Sequence, residues 1–124
     1  PLLDFIKKIA AKGVKMIIST DHGTIKVKTP SKVIGDRNTN TNLRYKQGKN
    51  LNYEARDVFV IKNPSDANLP KLHMSSSFIF AKQDQYFIYP NNYNHFVHYF
   101  DSTFQHGGIS LEEMIIPFSI YSAR

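Results

Sequence analysis

Apolar residues along this chain fall into short periodic groups separated by polar stretches. Leu2, Phe5, Ile6, Ile9 and Ala10 share one stripe at helical spacing while Lys7, Lys8 and Lys12 lie off it, so residues 2–12 read as an amphipathic helix stopped at Gly13. The compact run Val14-Lys15-Met16-Ile17-Ile18 reads as a buried strand. A helix feeding a buried strand is the second half of a βαβ crossover, which predicts a parallel sheet whose first strand lies outside the chain. Thr24 to Thr29 alternates as a short strand closed by Pro30. Residues 31–56 are polar and weakly patterned, with a low-complexity tract over Asn38–Asn42, and read as a long loop, either disordered or a lid over a site.

Asp57 to Lys62 reads as a strand, followed by a turn-rich stretch through Pro70. Ser77–Phe80 and Tyr86–Tyr89 flank Gln83-Asp84-Gln85 and predict a β-hairpin. Tyr93, Phe96, Val97 and Phe100 carry helical spacing over 93–103. Ser110 and Glu113 match a capping box, which starts a helix just after Gly107-Gly108. Ile115 to Tyr121 reads as a closing strand, with Pro117 confining it to an edge or a strand start. The pattern contains no internal repeat and no second domain.

Composition narrows the chemistry. The chain has 124 residues, enough for one modest domain or a piece of a larger one, and nine Phe with seven Tyr supply core material. It has no cysteine, so disulfides and thiolate metal sites are excluded and His, Asp and Glu remain as the strong ligands; this fits a reducing, cytoplasmic setting. No apolar run approaches the roughly 20 residues of a membrane helix, and no signal-peptide pattern is present. The opening on Pro1 rather than Met marks the chain as an expected excised piece. A net charge of +6 suits anionic partners or a basic solvated face, and composition alone slightly favours the solvated face.

Two constellations carry chemistry. Ser19-Thr20-Asp21-His22-Gly23 follows the first strand, and ligands gather at the carboxyl ends of strands in open α/β sheets. An adjacent carboxylate and imidazole suit zinc or a similar cation if Gly23 lets the backbone turn; otherwise Asp21 caps a turn and His22 is exposed. The second is Phe104-Gln105-His106-Gly107-Gly108-Ile109-Ser110-Leu111-Glu112-Glu113, whose glycines allow close approach of backbone to a ligand and aim N–H groups at an anion. The alternative is a glycine turn with an incidental histidine.

Together, these motifs resemble the PglZ-type branch of the alkaline phosphatase superfamily. There, Asp-His-Gly after a strand is followed most of a hundred residues later by His-Gly-Gly-apolar-Ser-apolar-Glu-Glu leading into an Ile-Pro strand. In this chain His106 follows His22 by 84 residues and the second motif runs from His106 to Pro117. The likeness extends to PorX-like response regulators, in which a receiver domain precedes the PglZ-type domain.

The resemblance implies an α/β fold: the C-terminal portion of an alkaline-phosphatase-like, mostly parallel sheet with flanking helices and a β-hairpin, spanning 1–124. It implies that Asp21 and His22 bind one metal of a two-zinc site and His106 the other. The nucleophilic Ser or Thr and the remaining ligands are then expected upstream of Pro1, leaving this piece inactive alone. The implied activity is hydrolysis of a phosphomonoester or phosphodiester, with a phosphorylated small molecule or nucleotide as substrate. A sheet cut in this way also leaves a strand edge open to homodimer formation or domain swapping.

The other candidates read as less specific. His95 and His98 stand three apart on the expected helix, a spacing open to pairing on a metal but read as surface or partly buried, and His73 is isolated. Arg37, Arg44 and Lys46 lie in or beside the long loop and read as a solvated face, the alternative being contact with a phosphate; Glu112 and Glu113 lie in a first helical turn, with Glu113 a cap. A non-catalytic regulatory or interaction module of a two-component signalling protein is the alternative function. A basic nucleic-acid-binding domain is disfavoured, since the charges are scattered.

Overall fold

A computed structural model of the protein describes residues 1–122. Helix α1 (Leu2–Ala10) forms where the spacing predicts, and the chain leaves it through Ala11 and Gly13, whose N–H donates to the Ala10 carbonyl at 2.9 Å. Its apolar stripe is uncovered: α1 has no buried residue, and Leu2, Leu3 and Phe5 are all more than half exposed.

Strand β1 (Met16–Ser19) overturns the crossover expectation. It pairs antiparallel with the last strand, β9 (Phe118–Tyr121), with Met16 opposite Tyr121 and Ser19 opposite Phe118. The Ser19 hydroxyl also donates to the Pro117 carbonyl at 2.8 Å, just where proline opens the partner strand. A two-stranded ribbon cannot bury both faces of an apolar run, so Ile17 stays 58% exposed and β1 is half-buried at most.

The remaining strands are β2 (Ile25–Lys26), β3 (Thr29–Lys32), β4 (Tyr45–Gly48), β5 (Val58–Ile61), β6 (Ser77–Ala81), β7 (Gln85–Ile88) and β8 (Phe104–Gln105). They form small sheets in the orders β2-β8, β3-β7 and β4-β6-β5. Among the described residues only β3–β7 is parallel; the pairings β1–β9, β2–β8, β4–β6 and β5–β6 are antiparallel. The fold is mixed α/β, and the expected mostly parallel sheet is corrected. Pro30 lies inside β3 instead of ending a strand, which a two-stranded edge tolerates because its missing N–H need not face a partner.

The predicted hairpin is also corrected. β6 and β7 are joined by a tight turn, with Gln85 N–H donating to Lys82 O at 3.0 Å, yet they do not pair with each other. The segment at 43–44 lies between them instead: Ala81 N–H donates to Arg44 O at 2.8 Å and Phe87 N–H donates to Leu43 O at 2.8 Å. Residues 31–56 are therefore ordered, with a strand at Tyr45–Gly48. Asparagine side chains order the polar tract in the manner of Asx turns. Asn42 Oδ1 accepts N–H groups of Arg44 at 2.7 Å and Tyr45 at 3.1 Å, while Asn40 Oδ1 accepts that of Gln47 at 2.8 Å.

Strand β7 sits between two apolar clusters, and its side chains alternate between them as period two requires. Phe87 joins Val33, Val58, Ile79 and Ala81; Tyr86 and Ile88 join Val27, with Leu43, Tyr93 and Phe100 packed alongside. Burying each of these large side chains stabilises the fold by about 1.5–3 kcal/mol. Helix α2 (Tyr93–Phe100) is shorter than the predicted 93–103 and docks through the Tyr86 hydroxyl, which donates to Val97 O at 2.9 Å. Helix α3 (Leu111–Met114) starts at Ser110 as the capping box predicts. No helix among the described residues is long and apolar enough to cross a membrane.

Candidate functional site

The two sequence motifs meet. In the β2–β8 pair Ile25 lies opposite Gln105, so His106 leaves β8 beside the residues that precede β2. There the imidazoles of His22 and His106 stack face to face, with ring centroids 3.7 Å apart and planes 9° from parallel. His22 Nδ1 lies 2.8 Å from the carbonyl oxygen of Gly23. A carbonyl only accepts, so Nδ1 carries a proton. Nε2 in turn faces Asp21 Oδ1 at 3.6 Å, with the Asp21 carboxylate largely in solvent.

Glycines permit this arrangement. Gly107 adopts φ +99°, in the left-handed region. Gly23 N–H donates to the backbone carbonyl of Glu113 at 2.9 Å, and a Cβ there would collide with the Glu112 carbonyl oxygen and come within 2.7 Å of that of Ile115.

Glu113 organises the rest. Its carboxylate is buried and forms a two-pronged pair with Arg44, Nε to Oε1 at 2.9 Å and one terminal nitrogen to Oε2 at 3.0 Å. The Arg44 guanidinium also donates to the carbonyls of Gln85 and Ala81, bridging the ends of β7 and β6. The same carboxylate accepts the N–H groups of Gly108 at 2.9 Å and Ser110 at 3.2 Å. The donors expected to receive a ligand anion are thus occupied by the protein's own carboxylate. Burial alone would raise the Glu113 pKa, but hydrogen bonds from Arg44, Gly108 and Ser110 outweigh it and hold the carboxyl below its ordinary range. On the other side of the loop, Asn42 donates to His106 O at 3.3 Å.

Sequence reasoning missed Arg44 and Lys46, which are fully buried rather than solvated. The signal was the alternation Leu43-Arg44-Tyr45-Lys46, which puts both cations on one face of a strand. Lys46 lines a cleft of about 460 Å³ that also touches His106. His73, His95 and His98 are exposed and away from the stack; His95 packs edge-on against Phe96.

The donors fit zinc in part. Metal–ligand distances of about 2.0–2.2 Å put neighbouring ligands of a tetrahedral ion roughly 3.4 Å apart, close to the observed Asp21–His22 separation. Parallel imidazoles do not converge on one ion, but their 3.7 Å offset matches the spacing of about 3.5–4 Å between paired metals. Asp21 with His22 suits one ion and His106 a second, fewer ligands than either needs. Among the described residues no group of three or more His, Asp or Glu is arranged around one point.

Among curated proteins none matches the chain. Residues 1–120 match the family described as the BREX system PglZ alkaline phosphatase-like domain. That match covers nearly the whole chain, including both histidine motifs and the helix that ties them together, and the chain belongs to this PglZ family.

Proposed function

We propose that the chain contributes the paired-histidine half of a two-zinc phosphoester hydrolase, with Asp21 and His22 on one ion and His106 on the other. The observation that carries this reading is the His22–His106 stack, formed by residues 84 apart in sequence. Zinc held there would supply a Lewis acid to phosphoryl oxygens and lower the pKa of a nucleophile. The chain's own residues prepare the ligands. Gly23 O fixes the His22 tautomer, while Glu113 fixes both loops, by its backbone carbonyl on one side and its carboxylate on the other. The net charge of +6 supports an anionic substrate, a phosphorylated small molecule or nucleotide.

The same proposal takes the domain as cytoplasmic and as following a response-regulator receiver, on the motif resemblance; the gene sequence upstream of Pro1 tests the latter. The functional test is His106→Ala in the intact protein. Losing a ligand worth ~3 kcal/mol of transition-state stabilisation cuts hydrolysis of a chromogenic phosphoester more than a hundredfold, with lower zinc content and an unchanged fold. Full activity with full zinc content would reduce His106 to a turn residue.

A further inference from the structure

Lys46 is an unusual wall for a mainly apolar cleft. Its side chain is buried, yet among the described residues no carboxylate lies within salt-bridge distance of its ammonium. Nζ donates to the Asn40 carbonyl at 3.1 Å and stands 4.3 Å from the centroid of the Tyr89 ring. An ammonium has three N–H donors, and that accounts for one of them. The Tyr89 ring face offers it a cation–π contact but no full negative charge, and the Tyr89 hydroxyl is spent on the same Asn40 carbonyl at 2.9 Å. Two residues away the equivalent problem is solved differently: Arg44, on the same face of the segment, has Glu113. A buried cation with unfilled donors is unfavourable unless an anion completes it.

The rest of the cleft is mixed, mainly aromatic and aliphatic, with Thr41, Asn42 and Gln105 as further polar residues. Leu43, Phe87, Ile88, Phe96 and Phe100 line it, and at about 460 Å³ it lies in the size range of small-ligand sites. We infer that this cleft binds an amphipathic anion, a ligand with a flat aromatic body seated among these side chains and an oxyanion on Lys46. His106 touches the same cleft, so a bound ligand reaches the histidine stack. Burial lowers the Lys46 pKa to about 8, which still leaves the ammonium the main form at neutral pH. The inference goes beyond the phosphoesterase reading and stands without it.

The test titrates the 124-residue chain, with no metal added, with 1-naphthoate and with its neutral isostere 1-naphthamide. It reads Kd together with intermolecular NOEs to the methyl groups of Leu43 and Ile88. The expected result is NOEs to both residues and at least tenfold tighter binding of the naphthoate. Lys46→Met should erase that preference and Lys46→Arg should retain most of it. Equal affinity of the unaltered chain for the two probes overturns the inference, as do NOEs confined to the exposed Ile17 and Ile120; neither outcome depends on a variant folding. A parallel titration with 1-naphthyl phosphate names the oxyanion: tighter binding than naphthoate assigns a phosphoryl group, weaker binding a carboxylate, and either ranking supports the site. The phosphoesterase reading fails separately, through zinc content and hydrolysis that His106→Ala leaves unchanged.

Discussion

Glu113→Ala is the sharpest perturbation this structure offers, because its neighbour Glu112 supplies an internal control. Both are first-turn carboxylates on α3, but Glu112 is exposed while the Glu113 side chain is 1% exposed and paired with an equally buried Arg44. Removing one partner of a buried ion pair leaves the other charge uncompensated, at about 3–5 kcal/mol. Gly108 and Ser110 lose their acceptor as well. A domain of this size is stable by roughly 6–19 kcal/mol, so the loss is a large share of the total. Glu112→Ala removes only a solvated charge near a helix start, about 0.3–1 kcal/mol. Urea unfolding followed by far-UV circular dichroism reads both.

A further variant separates the pair from its surroundings. Arg44→Met combined with Glu113→Leu removes both charges, so it should recover part of the loss seen in Glu113→Ala. Recovery should stop short of the unaltered stability, since two N–H donors remain without acceptors at about 1–3 kcal/mol each. If Glu113→Ala falls within 0.5 kcal/mol of Glu112→Ala (about the scatter of surface substitutions), the buried pair is not what holds this corner together.

Three other outcomes follow from the same geometry. The Glu113 pKa is depressed by folding, so its contribution is present above the unfolded value of about 4.3 and lost as pH falls through the folded value; Glu113→Gln should flatten the acid limb of the stability profile. Lys46 behaves oppositely: its folded pKa of about 8 lies below the ordinary 10.5, so the cost of burying its charge is complete below pH 8 and stability rises between those values. Lys46→Met should therefore stabilise the chain at pH 7 by about 1–3 kcal/mol and remove the rise, read as urea midpoints at pH 7 and pH 10. Gly23→Ala should destabilise by at least about 1–3 kcal/mol and abolish NOEs between the His22 and His106 rings, since its methyl group meets α3 backbone that cannot yield as a flexible side chain would. Retention of those NOEs at unchanged stability would refute the close packing.

The parts legible in the sequence were those set by local patterning. The α1 stripe, the Ser110–Glu113 cap and the two histidine motifs each depend on residues within a few positions of one another, and each appears where the pattern puts it. The expectations that failed concern which strand lies beside which. Ser77–Phe80 and Tyr86–Tyr89 look like hairpin arms because they are apolar and close in sequence, but strands buried on both faces carry no register information of their own. The partners are β3 for β7 and β4 with β5 for β6, and 43–48, a stretch too polar to read as a strand, is ordered by its amide side chains. Likewise the run at 14–18 is apolar enough for a buried strand, but its partner is the equally apolar β9, and the pair leaves much of that surface open.

The capping-box reading of Glu113 was correct and incomplete, and the difference matters for the site. A four-residue helix gains too little from its own hydrogen bonds to overcome the cost of nucleation, so α3 exists because other contacts fix its ends. Those contacts are the ones that bind the two motifs. The backbone carbonyl of Glu113 holds the loop carrying His22, its carboxylate holds the loop carrying His106, and Arg44 ties that carboxylate to the ends of β6 and β7. One short element therefore acts on both imidazole-bearing loops, alongside the β2–β8 pairing. Loosening α3 should release both histidines together, so a defect at Glu113 should weaken both halves of the site in parallel, whereas His106→Ala removes one imidazole and leaves the His22 loop in place.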